Sequence, residues 1–218
     1  VIRDTHRPVV CATLKGNNTP NSFQEYTMSA TSMIDPRDLR HAFGRFGTGV
    51  TVVTTTSDDG QAHGATVSAF TSVSLDPPLA QVTLMRSSKL ATFVKDRPFA
   101  INVMAMGQLG TCLHFAGKPM KGGPAWGRSA TGVPVLAGNA ATLECRPWRM
   151  YDGGDHLIVV GEVVHLDITP LDPLIFFGGK FHHLGSLVDG TPWEQCGDGH
   201  EAGWITGAAA FGSLAAAV

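Results

Sequence analysis

Three short stretches of the chain carry residue types from which a binding site is made. His63-Gly64-Ala65-Thr66-Val67-Ser68-Ala69-Phe70 combines small side chains with hydroxyls. Small side chains let a flat ligand lie close to the backbone, whose N–H groups can then meet polar atoms on the ligand's edge. Gly64, Ala65, Thr66 and Ser68 give that access. Ser and Thr are also at home on an ordinary solvent-facing strand, so this stretch alone leaves both readings open. Arg86-Ser87-Ser88-Lys89 stands at the predicted start of a helix. Unpaired N–H groups there favour an anion such as a phosphate; a plain capped helix with solvated charges is the alternative. Gly154-Asp155-His156 puts an acid and an imidazole just before the apolar run Leu157–Val160. His156 could donate to a ring or stack on it, or be a half-exposed edge histidine with no role. His182 and His183 could complete such a pocket. Neighbouring strand residues face opposite sides, so only one of them would reach it, and His182 is the candidate.

Other chemistries find little footing. The nine histidines include no helical i,i+4 pair and no His-Glu-x-x-His, so no metal site is expected. There is no Gly-x-Ser-x-Gly elbow for a hydrolase. No strand leads through Gly-x-Gly-x-x-Gly into a helix, which argues against a dinucleotide-binding Rossmann unit. The four cysteines (Cys11, Cys112, Cys145, Cys196) lie far apart and read as reduced thiols of a cytoplasmic protein. A net charge of −2 gives no electrostatic footprint for nucleic acid. The apolar runs are too short to span a membrane, and 43% apolar with 16% charged residues fits a globular chain.

These residues need elements to hold them. Asp35-Pro36 reads as a helix cap followed by proline at the first helical position. Leu39, Ala42, Phe43 and Phe46 then form an apolar stripe expected to pack on the core, with the helix stopped near Gly47 and Gly49. Val50–Thr56 is a β-branched strand. The Ser57-Asp58-Asp59-Gly60 turn returns it into a second strand, Ala62–Ser74, giving a hairpin. Further strands are predicted at Leu79–Met85, Phe99–Met104, Ala141–Met150, His156–Leu166 and Leu174–Phe177. Ser87 or Ser88 caps a short helix through Val94, with Leu90, Phe93 and Val94 inward. A second short helix spans Gln108–Phe115 and stops at Gly117. Residues 117–139 form a long Gly- and Pro-rich loop, of the kind that is often functional, in which Trp126 could lid a ligand. Many short strands with few helices predict a mainly β protein, a barrel rather than a βαβ fold. Residues 1–33 are expected to be a flexible N-terminal extension, 34–187 the folded domain, and 188–218 a Gly/Ala-rich tail.

An ordered set of motifs resembles the flavin reductase family that serves two-component monooxygenases. It comprises Ile34-Asp35-Pro36-Arg37, Phe46-Gly47-Thr48-Gly49-Val50-Thr51-Val52-Val53-Thr54-Thr55 and Ala65-Thr66-Val67-Ser68-Ala69-Phe70 through Leu79. Phe99-Ala100-Ile101-Asn102-Val103, Phe115-Ala116-Gly117-Lys118 and Gly153-Gly154-Asp155-His156 follow. The resemblance covers about residues 34–187. It implies a split β-barrel of Greek-key type and a homodimer with sites near the interface. It further implies hydride transfer from NADH, sometimes NADPH, to FMN or FAD, with reduced flavin passing to a partner monooxygenase. By this resemblance flavin would contact Gly64, Ala65, Thr66, Val67 and Ser68, then Thr83, Leu84 and Met85, then Ser88 and Lys89, and Phe115. Nicotinamide would meet Gly154, Asp155 and His156, the last as the catalytic candidate, with His182 nearby. A tightly flavin-bound oxidase on the same barrel, a non-catalytic flavin or haem carrier, and an interaction module working through the tail are the rival readings.

Overall fold

A computed structural model describes residues 34–186 of the chain. Residues 1–33 and 187–218 lie outside the described residues, and with them the expected N-terminal extension, the expected tail, Cys11 and Cys196.

The elements follow in the order α1 (Pro36–Phe43), β1 (Thr48–Gly49), β2 (Thr51–Thr56), β3 (Ala62–Val67), β4 (Phe70–Leu75), β5 (Pro78–Met85), α2 (Lys89–Phe93) and β6 (Phe99–Val103). A 3-10 turn (Met106–Gln108) leads into α3 (Leu109–Phe115), and β7 (Ala141–Gly153), β8 (His156–Ile168), β9 (Ile175–Phe177) and β10 (Lys180–His182) complete the domain. One seven-stranded antiparallel sheet runs β3-β2-β6-β7-β8-β5-β4, and a small sheet joins β1, β9 and β10.

β2 explains why its sequence is β-branched without alternation. It lies between β3 and β6, and Thr51 to Thr55 are buried on both faces. β5 alternates instead: Ala80, Val82 and Leu84 are buried, while their neighbours are less covered. The main core gathers Val53, Val82, Leu84, Leu90, Val94, Phe99, Ile101, Cys145 and Val159 inside the curl of the large sheet. A second cluster, with Val50, Val52, Met104, Cys112, Leu136 and Leu174, lies under α3 and the long loop.

The structure corrects the sequence reading in four places. The expected strand Ala62–Ser74 is two strands. β3 pairs with β2 while β4 pairs with β5, so the segment joins the two edges of the large sheet and must break at Ser68-Ala69. This link bends the sheet towards closure without closing its hydrogen-bond ladder, which is a split barrel. Thr83 N–H donates to the Ala69 carbonyl at 3.0 Å, continuing the β4–β5 ladder one step into the link. Second, the α1 stripe does not pack on the core. No residue of α1 is buried, and Phe43 and Phe46 are 69% and 77% exposed. Third, α1 stops earlier than predicted, at Gly44, whose N–H reaches the Arg40 carbonyl at 2.9 Å. Fourth, only one of the two neighbouring histidines expected on a strand is in one: β10 spans Lys180–His182 and pairs with β9 after the Gly178-Gly179 turn, whereas His183 lies beyond it.

The loop of residues 117–139 is held by two buried polar centres. Asn102 Nδ2 donates to the Val52 carbonyl (2.8 Å), and its Oδ1 accepts from Leu136 N–H (2.9 Å) and Asn139 Nδ2 (3.0 Å). The Glu144 carboxylate accepts from Ser129 Oγ (2.8 Å), Ala130 N–H (2.9 Å), Thr131 N–H (2.8 Å) and the Thr131 hydroxyl. Burial would raise the Glu144 pKa, but these donors together outweigh it and hold the carboxyl below its usual range. Cys112 and Cys145 are buried free thiols, pushed up to about 11 and about 12 chiefly by desolvation. They are inert as nucleophiles.

Candidate functional site

The two-residue break in the barrel seam opens a cleft of about 520 Å³, within the size range of small-molecule sites. Ala65, Thr66, Val67, Ser68 and Ala69 line it from β3 and the link, and Thr83, Leu84 and Met85 from β5. Ser88, Gly153, His156 and Phe43 complete the lining. Strand register brings the distant parts together: Met85 and Gly153 both lie opposite His156, because β8 is sandwiched between β5 and β7. The tight β7–β8 turn needs Gly154 at φ +78°, a conformation that favours glycine. Phe43, Ala69 and Gly153 are lining residues that the sequence reading did not single out. Phe43 was assigned to a core stripe, whereas Ala69 and Gly153 adjoin motifs that were recognised.

The cleft offers small or flexible apolar side chains (Ala65, Val67, Ala69, Leu84, Met85) to the faces of a ring. It offers hydroxyls to polar edges, but they are not equivalent. The Thr66 hydroxyl donates to the Cys112 carbonyl at 2.6 Å and is committed to holding α3 on β3. Ser88 Oγ accepts from Leu90 N–H at 3.2 Å as the α2 cap, and its own hydrogen stays available to donate. α2 has only five residues, so few peptide dipoles add up at its start, and any anion there must depend mainly on side chains.

Several expected site residues stand outside the lining. Gly64 has a structural reason of its own. A Cβ there would come within 2.9 Å of the Phe115 ring and 3.0 Å of Thr54 Cγ2. The glycine makes room for Phe115, which lies edge-on to Trp126 at 6.2 Å between ring centres. Lys89 is exposed near His63, whose pKa is lowered by desolvation and then by the Lys89 charge. His182 stands on the small sheet, edge-on to the Phe177 ring at 6.0 Å. Gly154 and Asp155 form the turn immediately before His156.

The Arg86 side chain departs from the anion-binding picture. Its Nη2 pairs with Asp152 Oδ2 at 2.7 Å, and its Nε donates to the Gly154 carbonyl at 3.1 Å. Asp152 also accepts from Gly154 N–H at 2.8 Å. That bond first, and Arg86 second, hold its carboxyl below the usual range. His156 Nδ1 lies 2.7 Å from Asp155 Oδ1, which leaves Nε2 as the ring nitrogen open to a ligand. The same contact, with the His156 charge, lowers the Asp155 pKa. Among the described residues no group of three or more His, Cys, Asp or Glu could hold a metal ion. No helix there is long and apolar enough to cross a membrane.

Comparison with known proteins fits this arrangement. The flavin reductase like domain matches residues 43–185. The reductase subunit HsaB of a flavin-dependent monooxygenase from Rhodococcus jostii is 37% identical over 173 residues, covering 76% of this chain and 87% of that protein. The FMN reductase (NADH) SmoA of Agrobacterium fabrum is 42% identical over 151 residues, covering 66% of this chain and 84% of that protein. Among solved structures, the NADH:FAD oxidoreductase SgcE6 of Streptomyces globisporus superposes with a TM-score of 0.66 at 35% identity, covering 75% of this chain and 97% of that chain.

Proposed function

Because the chain belongs to the flavin reductase family, we propose that it uses NADH to reduce free FMN or FAD and passes the reduced flavin to a partner oxygenase. The observation that carries this reading is the cleft itself. It is a seam about 520 Å³ in volume, lined by small and apolar residues, with one imidazole at its edge. Those residues fit a flat tricyclic ring better than they fit a reaction needing a strong acid or base. Relatives named for NADH, FMN and FAD, and one named as a monooxygenase reductase subunit, support the cofactor and partner assignments.

When bound, the nicotinamide would supply a hydride from its C4 and the flavin would accept it at N5, chemistry the cofactors carry themselves. The chain's part is positioning. Ala65 to Ala69 and Thr83 to Met85 hold the flavin ring between the two strand edges. The Ser88 hydroxyl would take its phosphate, with the Lys89 ammonium, exposed just outside the lining, as a nearby counter-charge, and Phe115 supports β3 from behind Gly64. Gly154, Asp155 and His156 would present the nicotinamide, while His182 stays on the small sheet against the Phe177 ring. Stacking the rings at about 3–3.5 Å is the main catalytic task. The exposed apolar residues of α1 and the segment after it (Leu39, Phe43, Phe46), with Leu166 and Ile168 of β8, support a homodimer. NADH-dependent chemistry and two buried free thiols are in keeping with the cytoplasm.

The test is NADH oxidation in air with FMN, with FAD and without flavin, repeated with NADPH. Consumption should depend on added flavin and be faster with NADH. Flavin binding without NADH consumption would overturn the reading in favour of a carrier.

A further inference from the structure

The turn before His156 is held by a single residue that follows another strand, Arg86, through both its side chain and its backbone. Arg86 follows directly on β5, whose last residue, Met85, lies opposite His156 in the sheet. Its guanidinium makes two contacts with the β7–β8 turn, to the Asp152 carboxylate and to the Gly154 carbonyl, and its backbone N–H donates to the Asp155 carbonyl at 3.0 Å. Asp152 closes the ring by accepting from Gly154 N–H. Asp155, so fixed, is the residue that pairs with His156 Nδ1. An isolated exposed ion pair contributes little to stability. Here the planar, forked guanidinium joins a carboxylate and a carbonyl at once, which a lysine ammonium cannot reproduce with the same geometry.

We propose that Arg86 is a positioning residue for hydride transfer: it locks the 152–155 turn so that Asp155 and His156 keep one orientation towards the reduced nicotinamide. The proposal rests on the reductase reading above. Arg86 is thereby assigned to the nicotinamide half of the reaction, although its neighbours Ser88 and Lys89 belong to the flavin half.

The experiment is a double-mutant cycle on the full chain with Arg86→Ala, Asp152→Ala and the pair, plus Arg86→Lys. NADH KM, kcat and flavin Kd are measured for each. A loosened turn misplaces a reacting group, and such misplacement costs about tenfold to a hundredfold. Arg86→Ala should therefore raise the NADH KM or lower kcat by about tenfold, with flavin Kd within about twofold of the wild type. Asp152→Ala should show the same pattern, and the double variant should be no worse than either single one, because both break one clamp. Arg86→Lys should recover only part of the loss. The thermal midpoint should stay within about 2 °C, since both side chains are exposed. Three outcomes would overturn the proposal: flavin Kd rising as much as NADH KM, which would make Arg86 a flavin phosphate ligand; no change in either; or fully additive losses. A wild type that leaves NADH unoxidised would remove the reductase reading instead. Amide exchange at Gly154 would still decide the clamp in that case: faster exchange in Arg86→Ala supports it, and unchanged exchange refutes it.

Discussion

α1 and α2 begin in the same way and end in opposite environments. Asp35 caps α1 by accepting from Arg37 N–H at 2.7 Å, and Ser88 caps α2 by accepting from Leu90 N–H at 3.2 Å. Both helices carry an apolar stripe. In α2 that stripe is covered: Leu90 is fully buried and Val94 nearly so, beneath the curl of the large sheet. In α1 nothing is buried, although it is the longer helix. Cap chemistry therefore says where a helix starts, and an apolar stripe says that a face seeks cover. Neither says what provides the cover. For α2 it is the same chain, and for α1 the proposed homodimer and the cleft ligand are the occupants, since Phe43 both lines the cleft and faces outward.

The largest effect that would sharpen this contrast is at Leu90. Leu90→Ala empties a buried site and should cost about 2–5 kcal/mol, read as a lower denaturant midpoint with an unchanged slope. A loss well under 1 kcal/mol would mean that α2 is as loosely held as α1. The next effect is qualitative. Leu39→Ser combined with Phe46→Ser should leave the fold of the monomer intact, with a change within about 1 kcal/mol at low protein concentration. It should also shift sedimentation from dimer to monomer, and stability should lose its dependence on concentration. If this variant instead unfolds as Leu90→Ala does at every concentration, the α1 stripe is core after all.

The same contrast explains what the sequence could disclose. β2, β5 and β6 were legible because burial on one or both faces writes itself directly into β-branched runs or alternation. β7 and β8 were legible from the apolar stretches within Ala141–Met150 and His156–Leu166, although the strands run further than those stretches, as pairing continues after burial stops. The break at Ser68-Ala69 was not legible, since no proline or turn sequence marks it and the break comes from two different pairing partners. Gly64 was read as an opening for a ligand because the ring that fills the space, Phe115, lies 51 positions later in the chain. Arg86 looked like a free cation beside Ser88 for a similar reason: its partners, Asp152 and Gly154, are more than sixty residues away. Local chemistry is visible in a sequence, whereas commitment to a distant partner is not.

The smallest effect concerns the caps themselves. Ser88→Ala removes the acceptor for Leu90 N–H at the start of a helix whose next residues are core, and should cost about 1 kcal/mol. Asp35→Ala removes a similar bond from a helix that buries nothing in its own chain, so it should fray α1 with little change in the global denaturation midpoint. Local amide exchange in residues 36–40 would register that fraying. Because α1 carries Phe43 into the cleft and Ser88 offers its hydroxyl there, both variants should also weaken flavin binding, and by different routes. For Ser88→Ala the loss should persist at every protein concentration, since a direct donor is gone. For Asp35→Ala it should fade wherever the dimer holds α1 in place, because only the ordering of the helix has been lost. Equal, concentration-independent losses in both would show that the two helices are anchored alike, and would remove the ground for assigning the cover of α1 to a second copy of the chain.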